Sequence, residues 1–162
     1  MDSTRRKLIG VLQAAYSGEM AAAYAYRGHW KSLSDFGEKE MVYNIEDDEW
    51  AHRRQIKRML DDLGSRPQKL REILMWFVGR VVGLVCCVTG RFMPMYFAGL
   101  VESGNVKEYE AASLQAGKLG LPKFEDELRQ MARAERTHEL FFQSATSGHS
   151  LSPVMRAIFH WG

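Results

Sequence analysis

One pattern occurs twice in this chain: Glu49-Trp50-Ala51-His52 and Glu135-Arg136-Thr137-His138. A carboxylate and an imidazole three residues apart share one face of a helix. Both instances lie in stretches whose apolar residues recur at three- and four-residue steps. Glu19 precedes Glu49 by 30 residues, and Glu102 precedes Glu135 by 33, each inside an otherwise apolar stripe. The chain therefore reads as two helical hairpins, each carrying Glu on its first helix and Glu-x-x-His on its second.

Four prolines, at 67, 94, 122 and 153, separate long stretches with helical periodicity. The spacing predicts a first helix over about 3–32, with Leu8, Leu12, Ala15, Ala22 and Tyr26 on one stripe. Ser34-Asp35 can cap a second helix reaching about Leu63. Its apolar face comprises Met41 or Val42, then Ile45, Ile56, Met59 and Leu60. Gly64 closes it and Pro67 opens the next segment. That segment, about 68–89, is apolar nearly all round. Further helices follow over about 94–118 and 122–147, the latter with Leu128, Met131, Phe141 and Phe142 as core candidates, and a short one over 153–160. The expected fold is all-α. It is a four-helix bundle in one domain over 1–162, with an additional apolar helix between the second and third ligand-bearing helices.

Lys plus Arg number 22 against 20 Asp plus Glu, a formal charge of +2, so no nucleic-acid partner is expected. Two adjacent cysteines, Cys86 and Cys87, cannot build a disulfide framework and suit a reducing compartment. The first residues precede no long apolar run, so no secretory signal is expected and a cytoplasmic location is. A bilayer span needs roughly 20 apolar residues in a row. The apolar region 70–101 is interrupted by Arg71, Glu72, Arg80 and Arg91, so it is not expected to span; it is expected to lie on a membrane surface, with a plain buried helix or an oligomer interface as the alternatives.

Carboxylates on a core face are costly unless something neutralises them. Four glutamates and two neutral imidazoles match the charge of two divalent metal ions. This is the four-helix recipe for a dinuclear carboxylate site. The expected ligands are Glu19, Glu49, His52, Glu102, Glu135 and His138, which would act catalytically through the metals. Glu49 and Glu135 would bridge, and Glu19 and Glu102 would be terminal. Oxygen-rich coordination with open positions suits iron or manganese. Asp48, one turn before His52, is expected to accept the other ring N–H of His52. Ala134 holds the equivalent place before His138, so a partner there must come from another helix. Glu46 is expected as the solvated start of the acidic cluster, and His29, His149 and His160 as surface or packing residues. Among the tyrosines, Tyr16, Tyr24 and Tyr26 are expected in the core. Tyr109, two turns below Glu102 on its face, is a candidate functional residue.

These residues resemble the ferritin-like demethoxyubiquinone hydroxylases of ubiquinone biosynthesis. The likeness covers about 8–142. It includes Gly18-Glu19 with Ala22, Tyr26 and Gly28, and Glu49 to His52. Arg66-Pro67 and Leu70 lead into a glycine-punctuated apolar helix ending at Thr89-Gly90. Val101-Glu102 with Tyr109, and Glu135 to His138, complete the match. The chain departs from the family pattern at Glu108, where a histidine is usual. The resemblance implies a di-iron monooxygenase that uses O2 to hydroxylate a quinone ring. Its electrons would come from NADH or the reduced quinone. The segment from Ile73 to Leu100 would line a path for a prenylated ring at the inner face of the cell membrane. A homo-oligomer is expected. The alternative is a ferroxidase or peroxide-consuming ferritin-like protein, for which the same ligands serve. A purely structural bundle would leave the core carboxylates unexplained.

Overall fold

The computed structural model describes residues 3–162. It contains α1 (Ser3–Ser32), α2 (Phe36–Asp62), α3 (Lys69–Cys86), α4 (Phe92–Lys118), α5 (Pro122–Thr146) and α6 (Ser152–Phe159). No strand occurs among the described residues. The expected all-α bundle with an added apolar helix is what forms.

The helix ends follow local chemistry. Asp35 caps α2 by accepting the Glu38 N–H at 2.9 Å. Gly64 adopts φ 64° beyond α2, and the Ser65 N–H returns to the Leu60 carbonyl at 2.8 Å. The same device recurs after α4. Gly120 has φ 67°, the Leu121 N–H reaches the Ala116 carbonyl at 3.0 Å, and Pro122 starts α5.

α1 and α2 form one antiparallel hairpin, and α4 and α5 form the other. The hairpins meet through α1 with α4 and α2 with α5. α3 is the crossover between them. It lies beside α1 and runs parallel to it, with Gly79 against Ala21 and Gly83 against Tyr24 and Gly28. A Cβ at Gly28 would fall 2.1 Å from the Gly83 carbonyl oxygen, and one at Gly79 2.4 Å from the Ala21 carbonyl oxygen. The two helices thus touch backbone to backbone, which only residues without a side chain permit.

Apolar packing fills the bundle in two separate blocks. One contains Leu8, Leu12, Ile56, Met59, Leu60, Leu128 and Met131. The other contains Val42, Ile45, Met95, Tyr96, Phe142 and Trp161. On each long helix the glutamate or Glu-x-x-His falls between the two blocks in sequence, so a polar layer divides the core. Val42, fully buried, takes the core place on α2, while Met41 is exposed. Phe141 is half-buried, and Leu128, Met131 and Phe142 are buried as expected.

Candidate metal centre

The polar layer gathers all six residues singled out by spacing. Glu19 comes from α1, Glu49 and His52 from α2, Glu102 from α4, and Glu135 and His138 from α5. All six are buried, and Glu49, Glu102 and Glu135 have no exposure at all. Their ligand atoms form two overlapping sets of four. One set is Glu19, Glu49, His52 and Glu135. The other is Glu49, Glu102, Glu135 and His138. Within each set the atoms lie within 4.8 Å of one another. Glu49 and Glu135 belong to both sets.

These groups do not satisfy one another. Both oxygens of Glu49 and of Glu135, Oε2 of Glu19, and Nδ1 of His52 and His138 are buried without a hydrogen-bond partner. His52 Nδ1 is 2.9 Å from Glu135 Oε1, yet the pair is not aligned as a hydrogen bond. His138 Nδ1 lies 3.6 Å from Glu135 Oε2 and 3.8 Å from Glu49 Oε1. Native interiors leave few such atoms unpaired. Seven of them gathered in two overlapping sets fit a pair of cations held by carboxylate and imidazole.

Electrostatics agree with that fit. Burial pushes Glu19 up to about 7, and burial together with neighbouring carboxylates pushes Glu49 and Glu102 well above the usual range. Glu135 is the exception. Burial would raise it too, but the close approach of Glu102, His138 and His52 holds it below the usual carboxylate range. His52 is raised. Burial opposes its charge, but Glu135 and the other acids outweigh that. Without cations the layer retains protons, and cations would displace them.

Two tyrosines close the layer reciprocally. Tyr26 of α1 donates to Glu102 Oε1 on α4, and Tyr109 of α4 donates to Glu19 Oε1 on α1. Each tyrosine follows a glutamate by seven residues, two helical turns, so Glu-x6-Tyr is a second internal repeat. That repeat was the available signal for Tyr26, which spacing alone left as packing. Asn105 adds a hydrogen bond to Glu102 Oε2 at 3.1 Å.

Asp48 behaves differently from expectation. Its Oδ2 lies 3.1 Å from Nε2 of His138, not beside His52. α2 and α5 run antiparallel, and the exposed Asp48 side chain crosses to the neighbouring helix rather than back along its own. It supplies the partner that Ala134 cannot. Glu46 also departs from the expected solvated position. It is buried and accepts from Arg27 Nε at 2.7 Å, Trp30 Nε1 at 2.7 Å and Trp50 Nε1 at 3.3 Å, tying α1 to α2. His149 and His160 are exposed. His29 is buried and stacks on Phe142.

Beside the layer lies a cavity of about 540 Å³ between α1, α3 and α4. Glu19, Tyr26 and Tyr109 line it from the bundle side, and Met75, Val78, Val82 and Val85 from α3. Arg71 and Glu108 stand near the Tyr109 end, and His29 and Thr89 near the other. The outward side of α3 is apolar and exposed, with Leu70, Ile73, Leu74, Phe77, Val81 and Leu84 in water. Among the described residues, no helix is long and apolar enough to cross a membrane.

Comparison with known proteins places the chain. Residues 6–112 match the profile of the family described as "Ubiquinone biosynthesis protein COQ7", a stretch that runs from α1 into α4. The chain is 22% identical to the 3-demethoxyubiquinol 3-hydroxylase of Bordetella petrii, over 99% of this chain and 75% of the relative. It is 26% identical to the enzyme of the same name from Bordetella avium, over 85% of this chain and 61% of the relative. It is 28% identical to that of Francisella philomiragia, over 46% of this chain and 36% of the relative. No solved structure gives a significant match. The chain belongs to the COQ7 family of ubiquinone biosynthesis proteins, whose members are ferritin-like di-iron carboxylate proteins.

Proposed function

We propose that this protein is a di-iron, O2-dependent hydroxylase of the 3-demethoxyubiquinol type, acting on a quinol ring at a membrane surface. One observation carries the reading: two four-ligand sets share Glu49 and Glu135 directly beside an apolar cavity that touches Glu19. The names of the relatives support the substrate class.

Glu19, Glu49, His52 and Glu135 would hold one iron, and Glu49, Glu102, Glu135 and His138 the other. What the iron pair supplies when bound is O2 activation, which no side chain of this protein can provide. The rest falls to the chain. Tyr109 and Tyr26 donate to the terminal carboxylates Glu19 and Glu102 and fix one oxygen of each. The apolar cavity walls receive the ring and its prenyl tail and exclude water from the carboxylate layer. Glu108 can accept a hydroxyl proton of a quinol, with Arg71 offsetting its charge. The exposed face of α3 rests in the lipid interface, so that the tail passes from bilayer to cavity. The reductant is NADH or the quinol itself.

A ferroxidase would use the same ligands, but it has no need of an apolar cavity or an apolar outer face. The test is direct. Protein loaded with two equivalents of Fe(II) is given a short-tailed demethoxyubiquinol, a reductant and ¹⁸O2, and products are read by mass spectrometry. One ¹⁸O atom in a ring hydroxyl is expected. Rapid Fe(II) oxidation without a hydroxylated product from any quinol overturns the reading in favour of the ferroxidase.

A further inference from the structure

We propose that the two halves of the carboxylate layer are unequal ion-binding positions. The Glu102–His138 half is an anchor that fills first, and the Glu19–His52 half, next to the cavity, holds the weaker, exchangeable ion. The inference rests on the dinuclear reading above and says what that reading leaves open.

The sequence repeat makes the halves look equivalent, and the structure separates them at three points. The first is the imidazole. His138 Nε2 has the Asp48 carboxylate at 3.1 Å, whereas the position related to Asp48 by the repeat is Ala134, which offers His52 nothing. A carboxylate behind a ligating imidazole fixes its tautomer and orientation and raises its basicity. The second is the terminal carboxylate. Glu102 has donors on both oxygens, Tyr26 on Oε1 and Asn105 on Oε2 at 3.1 Å. Glu19 has a donor only on Oε1, and its Oε2 is unpartnered. A carboxylate held on both sides is arranged before the ion arrives; one held on a single side still has a rotation to lose. The third is access. Glu19 lines the cavity, and neither Glu102 nor His138 does. An ion on the Glu19 side has a ligand that borders the cavity, and an ion on the other side has none. All three differences point the same way.

The experiment titrates the metal-free protein with Mn(II), followed by electron paramagnetic resonance and calorimetry. Two steps are expected, separated by about tenfold or more, the scale on which such outer partners act. The first equivalent gives an uncoupled Mn(II) spectrum, and the second converts it to a spin-coupled pair. Asp48→Ala alters an exposed side chain, and its fold is checked by circular dichroism. It should weaken the first step by about 10–100-fold and bring the two steps together. Glu19→Ala should keep the first step and abolish the second, whereas Glu102→Ala should abolish the tight step. Two equal steps in the wild type overturn the inference. So does a tight step that survives Asp48→Ala unchanged, or one that disappears in Glu19→Ala. A wild-type protein that binds no Mn(II), or only one ion, overturns the dinuclear reading itself.

Discussion

The two sides of α1 invert the usual distribution of polarity. Towards α2, α4 and α5 it faces a layer of buried glutamates and histidines with unpaired atoms. On its other side lies α3, whose outer face presents Leu70, Leu74, Phe77 and Leu84 to solvent. Water would favour the reverse arrangement in both places. An acidic layer in a core needs cations, and an apolar helix on a surface needs lipid or protein. The difference teaches that the chain alone satisfies neither region: the inner one is short of counter-charge and the outer one of an apolar cover.

The largest effect should come from removing one inner ligand. Cations at about a thousandfold above Kd stabilise a protein by about 4 kcal/mol. Glu49→Ala should lose that stabilisation on Fe(II) or Mn(II) addition, while the metal-free variant melts no lower than the metal-free wild type. A metal-free Glu49→Ala that melts well below wild type would mean that the layer is stable on its own. Next comes the outer face. Each large apolar side chain taken out of water contributes about 1.5–3 kcal/mol. Leu74→Glu with Phe77→Glu should therefore cut sedimentation with anionic phospholipid vesicles by well over tenfold, leaving Mn(II) binding intact. Equal vesicle binding by wild type and variant would remove the lipid contact.

A smaller effect concerns His29, near the cavity's far end. Burial holds its imidazole near 4 against an ordinary 6.5, with Glu38 opposing and Arg91 reinforcing that shift. The unfolded chain therefore binds the proton more readily than the folded one between those values. Stability from His29 is complete above pH 6.5 and is lost as pH falls towards 4, by on the order of 2 kcal/mol at pH 5. Glu19 acts with the opposite sign, because its value is raised to about 7 and acid relieves its buried charge. The informative quantity is thus the wild type minus His29→Gln difference in urea unfolding between pH 7 and pH 5. A difference that does not change with pH removes the assignment.

Much of this was legible before any coordinates. Gly64 with Pro67, and Gly120 with Pro122, mark helix ends because their backbone needs are local. Glu19, Glu49, His52, Glu102, Glu135 and His138 stand out because helical spacing places each on an apolar face. What stayed hidden depends on a neighbouring helix. Asp48 looks like a partner for His52 when only its own helix is considered, and the antiparallel approach of α5 gives it His138 instead. Glu46 looks solvated until Arg27 and Trp30 of α1 are placed over it. Tyr26 looks like packing until α4 brings Glu102 opposite its hydroxyl. The parallel course of α3 beside α1 is likewise a tertiary fact. Its glycines were visible in the sequence, but not what they touch.

That contact sets a dimension. Because Gly28 and Gly83 meet backbone to backbone, and Gly79 meets Ala21 in the same way, no flexible side chain intervenes that could yield under load. α3 is one wall of the cavity, so the slot between it and the bundle has a gauge fixed by missing carbon atoms. A single added methyl along this seam would re-cut the gauge.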